Sequence, residues 1–168
     1  WQDQYASVFG GVNFLEFGAN ETLIYPLRID PGALLELEES LVLCDTGISH
    51  NSGEIHLDQR NKMSEEFIKQ NVKQNVELTY KIRSHLLAGR LEKIGEALHE
   101  GWQLKKTFSN HISNESLDEI YDGALSNGAT GGKLLGAGGG GYFLLYVPPF
   151  QKIRLLTYLK NIGLHVQP

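Results

Sequence analysis

The chain has 168 residues, 41% apolar and 21% charged, with a formal net charge of −5. That balance is ordinary for a globular domain and argues against nucleic-acid binding, because no basic run is longer than Lys105-Lys106. No apolar stretch approaches a membrane span, and the single cysteine, Cys44, rules out an internal disulfide and fits a reducing compartment, so a cytoplasmic location is expected.

The opening run Trp1-Gln2-Asp3-Gln4-Tyr5 reads as the interior of a longer protein. Residues 12–17 and 23–29 are rich in β-formers, with Gly18-Ala19-Asn20-Glu21 between them, so a hairpin is predicted. Pro31-Gly32 is read as a break. Residues 41–45 form a short apolar run, predicted as a buried strand with Cys44 as a core residue, and residues 46–53 as a loop. Met63, Phe67, Val72, Val76, Ile82 and Leu86 recur at near-helical spacing, and Gly89 ends that helix. Leu91, Ile94, Leu98 and Trp102 define a second helix. A third is predicted from Ser116, because Glu119 completes a capping-box spacing, and Asn127-Gly128 closes it. Beyond the glycines, residues 142–147 read as a strand closed by Pro148-Pro149. Ile153, Leu156 and Leu159 mark a last helix that Gly163 stops, and residues 164–166 a final strand.

The densest signal is at residues 133–141, Lys-Leu-Leu-Gly-Ala-Gly-Gly-Gly-Gly, where five of the six residues from Gly136 to Gly141 are glycine. Such a backbone can take positive φ, expose its N–H groups and admit close neighbours, properties that suit a phosphate-contacting loop. Gly136, Gly138 and Gly141 fit G-x-G-x-x-G, but a dinucleotide turn needs a strand before it and a helix after it. Here a helical pattern is expected before the loop and a strand after it, and no Lys-Ser or Lys-Thr closes a Walker loop. A plain hairpin connection is the bland alternative. The histidines at 50, 56, 85, 99, 111 and 165 show no metal-ligand spacing, so no metal site is expected in the chain itself.

Two stretches carry a family resemblance. Lys133-Leu134-Leu135-Gly136-Ala137-Gly138-Gly139-Gly140-Gly141 resembles the C-terminal glycine motif of the GHMP kinases, and Gln2-Asp3-Gln4-Tyr5-Ala6 resembles the segment bearing the catalytic aspartate in its sugar-kinase members. The text between, Val12-Asn13-Phe14-Leu15-Glu16-Phe17 and Thr46-Gly47-Ile48-Ser49, looks most like the branch acting on D-glycero-D-manno-heptose 7-phosphate. The resemblance implies an α+β fold: a ferredoxin-like C-terminal domain over residues 39–168, preceded at 1–38 by the tail strands of an S5-like N-terminal domain. It implies ATP and Mg²⁺ as cofactors, with the principal phosphate loop and the main Mg²⁺ ligands outside this sequence. ATP and a sugar phosphate are the implied partners, with no nucleic acid and no membrane.

Phosphoryl transfer depends on positioning and charge stabilisation. By the motif match, Asp3 is the expected acceptor of the sugar hydroxyl's proton. Gln4 and Tyr5 are candidate substrate contacts, and so are His50 and Ser52 in the loop after the first buried strand. Gly136, Ala137, Gly138, Gly139, Gly140, Gly141 and Lys133 are the candidate ATP contacts. A side chain at Gly138 or Gly139 is expected to harm catalysis more than folding. Two other readings stay open: a non-catalytic sugar-phosphate-binding module, and another reaction of the same superfamily such as diphosphomevalonate decarboxylation.

Overall fold

The computed structural model describes residues 2–49, 52–62 and 65–167. Helix α1 (Gln2–Phe9) leads into the expected hairpin, β1 (Asn13–Phe17) and β2 (Thr22–Pro26), paired with Leu15 opposite Ile24. Pro31-Gly32 does not break the chain but starts helix α2 (Pro31–Ser40). The reason is local: proline needs no N–H at a first helical position, and the Asp30 carboxylate accepts from the N–H groups of Gly32 (2.9 Å) and Ala33 (3.1 Å). Strand β3 (Leu41–Asp45) follows at once, as expected.

Helix α3 (Ser52–Lys62) occupies part of the stretch expected to be a loop. Helices α4 (Glu66–Leu87) and α5 (Glu92–Lys106) pack against each other. Helix α6 (Glu115–Ser126) starts ahead of the expected cap, because Asn114 is the N-cap and its Oδ1 accepts from Leu117 N–H at 3.0 Å. Next come β4 (Gly131–Leu134), β5 (Tyr142–Tyr146), a 3₁₀ turn (Pro149–Gln151), α7 (Lys152–Asn161) and β6 (His165–Gln167).

Strand β4 corrects one expectation, since a strand and not a helix immediately precedes the glycine loop. Gly131-Gly132-Lys133-Leu134 carries no β-forming signature. It becomes a strand by pairing with β5, Lys133 opposite Leu144, and by lying flat on α5. A Cβ at Gly131 would overlap the carbonyl of Gly95, so only glycine permits that approach.

The sheet order is β4-β5-β3-β6, with every neighbouring pair antiparallel. Period-two alternation sorts its side chains. Val42, Cys44, Leu134, Phe143 and Leu145 enter the main core with Trp102, Leu117, Tyr121, Leu155 and Leu159. Burial, assisted by the Asp45 charge, pushes the Cys44 thiol up to about 11, which keeps it protonated and inert. On the opposite face Leu41 and Tyr146 join Leu91, Ile94, Ile82 and Leu86 in a second cluster. Lys133 belongs to this second face, out of register with Leu134 by one residue. The result is an α+β domain with helices on a small antiparallel sheet. Among the described residues no helix is long and apolar enough to cross a membrane.

Candidate functional site

The glycine loop joins β4 to β5, so it is the connection of a hairpin, but not a flexible one. Leu135 N–H donates to Tyr142 O at 2.8 Å and extends the ladder into the loop. Gly139 N–H donates to Ile112 O (2.8 Å), between α5 and α6, and Gly141 N–H to Ile48 O (2.9 Å), between β3 and α3. Thr46 donates twice to Gly141 O, through its N–H at 2.9 Å and its hydroxyl at 2.7 Å. Lys105 Nζ donates to Leu134 O at 3.2 Å and Gly136 O at 2.6 Å. Two separate connections, β3–α3 and α5–α6, and the end of α5 therefore fix the loop's shape.

Glycine is required at particular points of it. Gly138 has φ +118°, and a Cβ there would sit 2.9 Å from Ile112 Cα. A Cβ at Gly140 would overlap the Ile48 carbonyl oxygen. These contacts give Gly138 and Gly139 a structural role beside the catalytic one expected of them. Gly138 is packed against Ile112, and Gly139, at φ +78°, uses its N–H to hold the same residue. The N–H groups of Gly136, Ala137, Gly138 and Gly140 carry no hydrogen bond among the described residues. They are the donors that the loop leaves uncommitted.

Lys133 stands beside the loop, but its side chain lines a pocket between α4 and α5, where Lys105 joins it. Desolvation, assisted by the Lys133 charge, lowers the Lys105 ammonium to about 8. Lys133 is reached by solvent, yet the surrounding protein still lowers its pKa. Lys105 was not among the candidates from the sequence. A lysine in the last turn of a helix is an ordinary surface feature, and only the fold brings it onto the carbonyls of Leu134 and Gly136.

Asp3 lies exposed in the first turn of α1. Its described contacts are local: Gln2 Nε2 donates to its carboxylate at 3.4 Å, and Ser7 Oγ to its carbonyl at 2.9 Å. Gln4 and Tyr5 line a shallow pocket of about 220 Å³ with Val8 and Phe9, and Tyr5 meets Phe17 edge-on at 5.6 Å. Among the described residues no hydrogen bond joins α1 to the glycine loop. His50 lies outside the described residues, and for Ser52 only its place at the start of α3 is described. Among the described residues no three His, Cys, Asp or Glu side chains converge.

Residues 82–160 match the family described as GHMP kinases C terminal. The chain is similar to heptose kinases. It is 35% identical to a D-glycero-alpha-D-manno-heptose 7-phosphate kinase of Campylobacter jejuni, over 99% of this chain and 49% of that protein. It therefore spans about half the length of that relative. A crystal structure from Campylobacter jejuni superimposes with a TM-score of 0.72 at 34% identity, covering 99% of this chain and 47% of that one. A D-glycero-D-manno-heptose 1-phosphate kinase from Bacteroides thetaiotaomicron gives 0.68 at 28%, covering 99% and 44%.

Proposed function

We propose that this chain is the C-terminal part of an ATP-dependent sugar-phosphate kinase that phosphorylates a hydroxyl of a heptose 7-phosphate in nucleotide-heptose synthesis in the cytoplasm. The observation that carries the reading is the glycine loop: a rigid turn with the N–H groups of Gly136, Ala137, Gly138 and Gly140 uncommitted. Converging backbone donors are what a polyphosphate needs, because they stabilise charge without having to reorganise. The likeness to the Campylobacter jejuni heptose 7-phosphate kinase supports the choice of acceptor.

In this reading the loop forms one wall of the triphosphate site. When bound, ATP supplies the γ-phosphoryl group for in-line displacement. Asp3 accepts the proton of the attacking sugar hydroxyl at a carboxylate oxygen, while Gln4 and Tyr5 flank the sugar. Gly139 and Gly141 hold the wall in place instead of touching phosphate, since their N–H groups are bound to Ile112 and Ile48. Mg²⁺ is assigned no ligand from this chain, and no step here passes through it. The boundary with the preceding domain, expected at residue 38, is better drawn before Pro31, because α2 runs unbroken to Ser40 and packs Leu37 on the second cluster.

The test is ATP-dependent transfer by the full-length protein. Incubation with ATP and heptose 7-phosphate is expected to yield ADP and a heptose bisphosphate in equal amounts. ADP formed at the same rate with and without the sugar would contradict the reading.

A further inference from the structure

The pocket shared by α4, α5 and β4 has a composition that the loop's own role does not explain. It encloses about 110 Å³ and is lined by Lys105 and Lys133, by Asn75 and Thr79, and by apolar side chains including Leu78 and Ile82. That is well above the roughly 10–15 Å³ that admits one water. No carboxylate lines it, and neither lysine has an ion-pair partner among the described residues. Two like charges facing one cavity without a counter-ion are unfavourable, and burial, assisted by the Lys133 charge, lowers the Lys105 ammonium. An anion of charge near −2 removes that cost.

We propose that Lys105, Lys133 and the Asn75 amide form a binding site for a phosphate monoester in this pocket. The chemistry favours phosphate over a carboxylate. A phosphate carries about −1.5 to −2 charge at pH 7 and three strong acceptor oxygens, which match two ammonium groups and one amide. Lys105 gives two of its three N–H donors to Leu134 O and Gly136 O, so one remains for a ligand. Lys133 makes no described hydrogen bond. The Thr79 hydroxyl is already turned to Asn75 O at 3.0 Å. Because Lys105 also grips Gly136, filling the pocket bears directly on the first turn of the glycine loop.

Two sources share this chemistry: the non-transferred phosphate of the acceptor sugar, and a separate phosphorylated metabolite. The first rests on the kinase reading; the site itself does not. The deciding experiment follows the lysine side-chain NMR signals of the full-length protein during titration with inorganic phosphate, against chloride at matched ionic strength. Phosphate is expected to raise the Lys105 pKa above about 8. Lys133→Gln is expected to weaken the phosphate response at least tenfold, and Lys133→Arg to restore most of it. Since Lys133 is exposed and unbonded, neither change endangers the fold. No phosphate-dependent change at either ammonium, or an undiminished response in Lys133→Gln, overturns the proposal. The source is then read from kinetics. A KM for heptose 7-phosphate raised tenfold in Lys133→Gln, with KM for ATP constant, identifies the acceptor's phosphate, and both KM values unchanged identify a separate ligand. A full-length protein with no transfer activity would sink the kinase reading and leave the NMR result standing.

Discussion

The glycine loop and helix α1 hold the two halves of the proposed chemistry, and they are held in opposite ways. The loop is tied by backbone hydrogen bonds to Thr46, Ile48 and Ile112, with Ala137 in the main core. Helix α1 buries no residue and rests on the hairpin through contacts such as Tyr5 on Phe17. The phosphate wall is thus built into the fold, and changing it disturbs stability and function together. The proposed base sits on a thinly supported element, where chemistry and stability separate.

That contrast can be broken or sharpened by substitution in the full-length protein. The largest effect is expected for Asp3→Asn, which removes the proton acceptor: turnover should fall by about 10²–10⁴-fold. Tm should stay within error, because Asp3 is exposed and its described side-chain contact is with Gln2. Gly140→Val is expected to behave in the opposite way, lowering stability by about 1–3 kcal/mol in urea unfolding as it forces the Ile48 carbonyl aside. Gly138→Ala should cost about 1–2 kcal/mol, from its positive φ and the contact with Ile112. Tyr5→Ala should cost no more than about 0.5–1.5 kcal/mol, the range of an aromatic pair, and lower turnover more than stability if Tyr5 flanks the sugar.

The smallest effect is pH-dependent. The folded-state pKa of Lys105, about 8, lies below its ordinary 10.5, so between these values the unfolded chain binds more protons than the folded one. Its contribution to stability therefore rises with pH across that window, and the penalty is complete below it. The stability gap between the wild type and Lys105→Met, followed from pH 7 to pH 10, should shift in favour of the wild type.

Much of the scaffold was legible in the sequence because periodicity reports burial. Strands β3 and β5 and helices α4, α5 and α7 show as apolar runs or stripes, and the glycine motif pointed to the family whose model residues 82–160 match. Four elements escaped. Helix α1 has no buried face to impose a pattern. Helix α2 hid behind Pro31-Gly32, a breaker in mid-element but a good start when Asp30 caps it. Helix α3 has almost no amphipathic character. Strand β4 opens with two glycines whose strand state is set by β5 and by the approach of Gly95, which no local window contains. The site divides in the same way. The loop was visible as composition, but which of its N–H groups are committed depends on Ile48 and Ile112, distant in sequence. Lys105 was invisible for the same reason.

The central claim is that the loop presents the N–H groups of Gly136, Ala137, Gly138 and Gly140 to phosphate while those of Gly139 and Gly141 anchor it. Amide hydrogen exchange of the full-length protein, with and without a non-hydrolysable ATP analogue, tests this directly. Gly139 and Gly141 should already be protected in the free protein, and nucleotide should slow exchange at Gly136, Ala137, Gly138 and Gly140. Exchange at those four amides unchanged by saturating nucleotide, or fast exchange at Gly139 and Gly141 in the free protein, would contradict the account.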